Sequence, residues 1–319
     1  MKATDLAHIV SVICAIFTAE FACAQNYPTR PIRFVVTGSG GSSDFAARMV
    51  TQGISSGLGQ QVVVDARGGA LPSIEIVAKA PSDGYTLLYF GSALWLLPLM
   101  QNVSYDALRD FIPVSMVVSA PVILTVHPTL PVTTVKELIA LAKAKPGVLN
   151  YGRASAGSSS NLSTELFKSL TGINMVGIPY KSSGPALTGL LGGELQVLMV
   201  SAGGLSPQIN AGRIRALAVG SAKRSASFPN LPTMVEAGVP GYEYGQMSGV
   251  FAPAKTPAAI VDRLSREIVS VVNSGDFKEK LVNSGTDAEG STPQEAVAKI
   301  KSEIARLGKV IKDANIRGE

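Results

Sequence analysis

The sequence predicts an α/β protein of two lobes, each built on a mainly parallel sheet flanked by helices, with two crossings of the chain between them. Three observations predict it. Apolar β-rich runs alternate with amphipathic stretches in two successive sets, the order that builds parallel sheets with covered faces. A length of 319 residues exceeds one small core and suits two domains. The tail beyond Thr256 is helical in pattern and carries no strands of its own, so it is expected to return to the first set.

The elements follow in order. Ile32–Val36 is a short strand stopped by Thr37-Gly38-Ser39-Gly40-Gly41. A helix starting near Ser43 places Phe45, Met49 and Ile54 on one face; Val62–Val64 is the second strand, Ser73–Ala80 a helix and Tyr85–Tyr89 the third strand. Pro121–His127 is continuously apolar, as a strand buried on both faces would be. Thr134 to Glu137 reads as a capping box opening a helix that ends at Pro146-Gly147. Val148–Tyr151 is a strand, and a Ser/Gly loop then leads into a helix bearing Leu162, Leu166 and Leu170. Strands over 175–178, 195–200 and 215–219 alternate with helices over 185–191 and 205–211. In the tail, Ile260, Val261, Leu264, Ile268, Val271 and Val272 keep helical spacing. Thr292-Pro293-Gln294-Glu295 joins a capping box to proline at the first helical position. The expected division is residues 25–124 plus 249–319 for lobe 1 and 125–248 for lobe 2, with crossings near 121–128 and 241–253 acting as a hinge.

Residues 1–24 read as a signal peptide: Lys2, the apolar Ile9–Phe17 and the small-residue pattern Ala22-Cys23-Ala24, with cleavage after Ala24. Both cysteines, Cys14 and Cys23, and His8 would leave with it. His127 is then the one imidazole, and disulfides, thiolate nucleophiles, Cys-ligated metals and most His-based triads or zinc sites are excluded. The remaining chain holds 27 basic and 21 acidic residues. No Lys/Arg run exceeds Lys223-Arg224, so a clustered nucleic-acid footprint is missing, and the diffuse excess favours an anionic ligand. No cofactor, metal or nucleic-acid partner is expected, and the chain is expected to be a monomer.

Two small-residue loops stand at matching places between strand and helix: Thr37 to Asp44, and Tyr151 to Asn161. In open α/β sheets ligands bind beyond the carboxyl ends of strands. Small side chains expose backbone N–H groups there, and a helix N-terminus adds about half a positive charge. Enzyme motifs fail. Position 43 is Ser where a dinucleotide loop needs Gly, no phosphate-loop motif occurs, and Arg153 stands where a nucleophile elbow at Ser155 needs Gly. Asp44, in a first helical turn, has an ordinary dipole role as its alternative to chemistry.

At these loops the sequence resembles the extracytoplasmic solute receptors of the tripartite tricarboxylate transporter system, the Bug family. The resemblance runs from Tyr27 to Glu319. It rests on Tyr27-Pro28-Thr29-Arg30-Pro31-Ile32, Leu58-Gly59-Gln60-Gln61-Val62, Asp83-Gly84-Tyr85-Thr86-Leu87, Pro179-Tyr180-Lys181, Leu231-Pro232-Thr233 and Gly238-Val239-Pro240-Gly241-Tyr242, in that order. It implies a two-lobed periplasmic binding protein of type II, a Venus flytrap. Such a receptor would be a periplasmic non-enzyme that hands a small organic anion to membrane permease subunits; a ligand-dependent sensor for a membrane signalling protein is the alternative.

The resemblance places carboxylate binding on both loops, so the candidate ligand-binding residues are Thr37, Gly40, Gly41, Ser42, Ser43 and Asp44 with Ser92, and Arg153, Ser155, Gly157, Ser158, Ser159 and Asn161 with Ser201. The sequence departs from the family at the first loop, which lacks prolines, at Arg153 for a common serine, at Asn161 for a common histidine and at Met247 for a frequent tryptophan. Arg153 either grips a ligand carboxylate with two parallel bonds or pairs on the surface.

Overall fold

The computed structural model describes residues 27–37, 41–67, 69–153, 158–202 and 205–317. The expected signal peptide and the candidates Gly40, Ser155 and Gly157 lie outside the described residues, as do the side chains of Ser42 and Ser43.

The first set folds as β1 (Ile32–Val36), α1 (Gly41–Leu58), β2 (Val62–Ala66), α2 (Ala70–Ala78) and β3 (Thr86–Gly91). These strands lie parallel in the order β2-β1-β3, with Ile32 opposite Val62 and Arg33 opposite Thr86. A short helix α3 (Ala93–Leu96) and β4 (Phe111–Val126) follow. The second set is α4 (Val135–Ala144), β5 (Asn150–Arg153), α5 (Ser159–Thr171), β6 (Val176–Pro179), α6 (Ser183–Leu191), β7 (Val197–Ser201), α7 (Ser206–Asn210) and β8 (Arg215–Val219). The chain then runs back along β9 (Gly245–Pro253) into α8 (Ala258–Val272), α9 (Gly275–Asn283), β10 (Asp287–Ala288) and α10 (Pro293–Asp313).

Two strands join the halves. β4 has 16 residues, and from Phe111 to Pro121 it pairs antiparallel with β9, ending with Pro121 opposite Gly245. From Val122 onward its partners are β7 on one side and β8 on the other. Every antiparallel ladder among the described residues involves β4 or β9, while β1 with β2 and β3, and β5 with β6 and β7, are parallel.

The strand therefore begins ten residues before the Pro121 start read from sequence. Proline normally marks a strand's edge or a bulge because it cannot donate to a ladder. Pro121 sits where β4 exchanges one set of partners for another.

The tail returns to the first sheet through its apolar stripe. Leu264, Ile268 and Val272 of α8 are fully buried with Phe34, Val50 and Ile54. Each such side chain contributes about 1.5–3 kcal/mol by leaving water. α10 is launched by the Thr292 box: Glu295 N donates to Thr292 Oγ1 at 3.2 Å, and Thr292 N donates to Glu295 Oε2 at 2.9 Å. It packs on α3 and also on α5 of the second set, so one helix braces both sheets. Thr134 and Glu137 form the same reciprocal box at α4.

Candidate functional site at the junction of the sheets

β1 and β3 end side by side, so Thr37, Gly91 and Ser92 share the carboxyl edge of the first sheet. β9 passes next to them. Ser92 N donates to Met247 O at 2.9 Å, and Met247 N donates back to Ser92 Oγ at 3.2 Å. A cavity of ≈ 220 Å³ opens against this pair. Its polar lining is Thr37, Tyr89, Ser92, Gln246, Ser248 and Thr286, its apolar lining includes Ala46, Val118 and Leu281, and among the described residues no charged side chain lines it. Gln246 ties it to the second sheet, because Ser201 Oγ, at the end of β7, donates to Gln246 Oε1 at 3.0 Å.

Thr37 and Ser92 are thus brought together in the cavity wall, and Ser201 reaches its edge through Gln246. Asp44 is buried in the first turn of α1 and forms an ion pair with Arg48 Nε at 3.0 Å. Ser158 is the N-cap of α5, with Asn161 N donating to its hydroxyl at 3.3 Å, and Ser159 and Asn161 are buried in that helix's first turn. Arg153 ends β5, exposed, with its stem lying over Gly177 of β6. None of Asp44, Arg153, Ser158, Ser159 and Asn161 lines the cavity. Arg153 and Ser201 nevertheless end parallel neighbours, so they share one edge of the second sheet.

Behind Ser92 lies a buried acid. Glu303 of α10 is 2% exposed and accepts from Trp95 Nε1 at 2.8 Å and from Ser92 Oγ at 3.4 Å. Burial pushes its carboxyl up to about 7, against the opposing pull of the Trp95 N–H and the Arg306 charge.

Sequence reasoning missed Tyr89, Gln246, Ser248 and Glu303. Two signals were available. Gly245-Gln246-Met247-Ser248-Gly249 is a small and polar run opening an otherwise apolar strand. Glu303 stands between Ile300 and Leu307 on the buried face of α10, where an acid is out of place. Tyr89 gave no signal, since an aromatic in a strand reads as core.

Two α/β sheets joined by paired strands, with an uncharged polar cavity beside the joint, define a two-lobed solute receptor. The sequence model of the tripartite tricarboxylate transporter family receptor matches residues 46–316, and the chain belongs to that family. The BugT protein of Bordetella pertussis is 36% identical, over 99% of both chains. A solved structure of Rpa4515 from R. palustris with adipate is 37% identical, covers 92% of this chain and all of that one, and superposes with a TM-score of 0.74. A ligand-free receptor of the same class from Polaromonas is 25% identical over 90% of this chain and 99% of its own, with a TM-score of 0.83. The chain is accordingly a periplasmic solute receptor of Venus-flytrap fold and not an enzyme. Receptors of this family serve small anions and membrane permease subunits.

Proposed function

We propose that this receptor captures a small organic acid where its two sheets meet, and that it releases the acid to the permease subunits of its own transporter. The observation carrying this reading is the uncharged cavity at Thr37, Ser92 and Gln246, joined by Ser201 to the second sheet. Its volume matches about seven waters, the bulk of a short-chain acid. The lobes, residues 25–124 with 249–319 and residues 125–248, would close about the stretch where Pro121 faces Gly245.

Closure would bring the ligand carboxylate between the turn from Thr37 to Asp44, with Ser92, and the turn from Arg153 to Asn161, with Ser201. Main-chain N–H groups at the starts of α1 and α5 would carry the negative charge. Micromolar capture needs about 8 kcal/mol, within reach of several charge-assisted bonds in a cleft that sheds its water. Adipate in the Rpa4515 structure supports an acid of this size.

Calorimetric titration with succinate, adipate, benzoate and 6-hydroxyhexanoate tests the reading. Binding of at least one acid at micromolar to low-millimolar concentration is expected, and heat of dilution alone from all four would overturn it. Recovery of permease subunits on the immobilised ligand-bound receptor, from membranes of the same cells, tests the transport partner. Recovery of a membrane signalling protein instead would overturn that part.

A further inference from the structure

We propose that the inner end of the cavity is a subsite for an uncharged oxygen, with the Tyr89 hydroxyl as its anchor, so that the preferred ligand is a monocarboxylate bearing a hydroxyl or carbonyl at its far end. The inference rests on the receptor reading above and extends it to the tail of the ligand.

Tyr89 is 1% exposed and lines the cavity, yet its hydroxyl makes no full hydrogen bond among the described residues. A buried hydroxyl without a partner is rare and costly, so its presence calls for a group that completes it. Ser248 is the neighbouring polar group: it acts on the Tyr89 hydroxyl without completing a full hydrogen bond to it. Both side chains stand on the same face of the sheet, since Tyr89 pairs with Val250, two residues from Ser248 on β9. Between them Gly91 faces Ser248, and a Cβ there would come within 3.2 Å of both Ser248 Oγ and Met247 O. Glycine leaves that approach open.

The chemistry of the tail follows from the donor set. Beside Tyr89 and Ser248, the Thr286 hydroxyl of the lining is already engaged with Ser284 Oγ at 2.9 Å and Leu281 O at 3.3 Å. Two hydroxyls remain, Tyr89 and Ser248, each able to donate and accept. They match one neutral oxygen with two lone pairs. A second carboxylate would enter a lining that, among the described residues, has no cation and too few donors, and a buried charge so poorly paired is strongly disfavoured. The apolar walls at Ala46, Val118 and Leu281 suit the methylene chain between the two ends.

The test uses three acids with chains of equal length: hexanoate, 6-hydroxyhexanoate and adipate, titrated calorimetrically into wild type and Tyr89→Phe. Phenylalanine keeps the stacking on Phe34, whose ring centroid lies 6.1 Å away, and removes one oxygen. The expected result is that 6-hydroxyhexanoate binds wild type about tenfold tighter than either analogue, that Y89F binds it no better than hexanoate, and that ligand-free Y89F melts no lower than wild type. Tightest binding of adipate, or an unchanged preference in Y89F, overturns the subsite and leaves the receptor reading intact. A lower melting temperature of ligand-free Y89F also overturns it, because the hydroxyl would then serve the fold. Failure of all three acids to bind wild type removes a short-chain acid as the ligand, and the subsite with it.

Discussion

The Trp95 indole N–H donates to Glu303 Oε2 at 2.8 Å, joining the short helix after β3 to the tail helix that braces both sheets. The carboxyl is buried and held up to about 7, whereas an unfolded glutamate releases its proton near 4.5. Between those values the folded chain binds more protons than the unfolded one, so stability falls as pH rises through the window. The loss is complete above pH 7 and reaches at most roughly 3 kcal/mol. Glu303→Gln keeps an oxygen for Trp95 and removes the titration. Thermal melts should show the variant more stable than wild type at pH 8 and without that advantage at pH 4.5; an equal difference at both would mean that Glu303 does not titrate there.

Gln246 is the cavity residue bonded across to Ser201. Gln246→Ala should weaken the tightest acid of the calorimetric panel by about tenfold, the scale of one hydrogen bond in a closed site. Circular dichroism should show an unchanged fold.

Gly249 faces the strand it crosses with: a Cβ there would lie 2.7 Å from Ser115 O and 3.0 Å from Met116 Sδ. The obstacle is backbone, so β9 and β4 must separate to accept it. Gly249→Ala should cost about 1–3 kcal/mol, read as a lower urea midpoint. An unchanged midpoint would mean that the two strands yield freely.

Arg153 carries the one cation in the second small-residue turn. If its guanidinium meets the ligand carboxylate on closure, Arg153→Ala should lose at least about tenfold in affinity and show a weaker salt dependence. An affinity equal to wild type would take Arg153 out of the site.

Local signals were legible where the physics is local. The boxes Thr134–Glu137 and Thr292–Glu295 name their helix starts in four residues each, and the α8 stripe from Ile260 to Val272 announces its buried face. β4 was half legible, because its first ten residues carry Pro113, Ser115 and Ser119 among apolar neighbours and show no alternation. Those positions are set by partners distant in the chain: Met116 N donates to Ser291 Oγ, and Ser291 N to Ser115 Oγ. For the site, the ends of β1 and β7 could be placed from strand-and-loop order. Tyr89 and Glu303 could not, since their meaning comes from what the tertiary fold sets against a buried oxygen.

β4 has a mechanical consequence. A single ribbon that is a rung in both ladders works as a torsion bar: twist applied at its Phe111 end is delivered at its Val126 end without passing through a loop. Turning one sheet against the other must therefore twist this shared strand as well, so the joint between the sheets is ladder-bonded backbone rather than a loose tether.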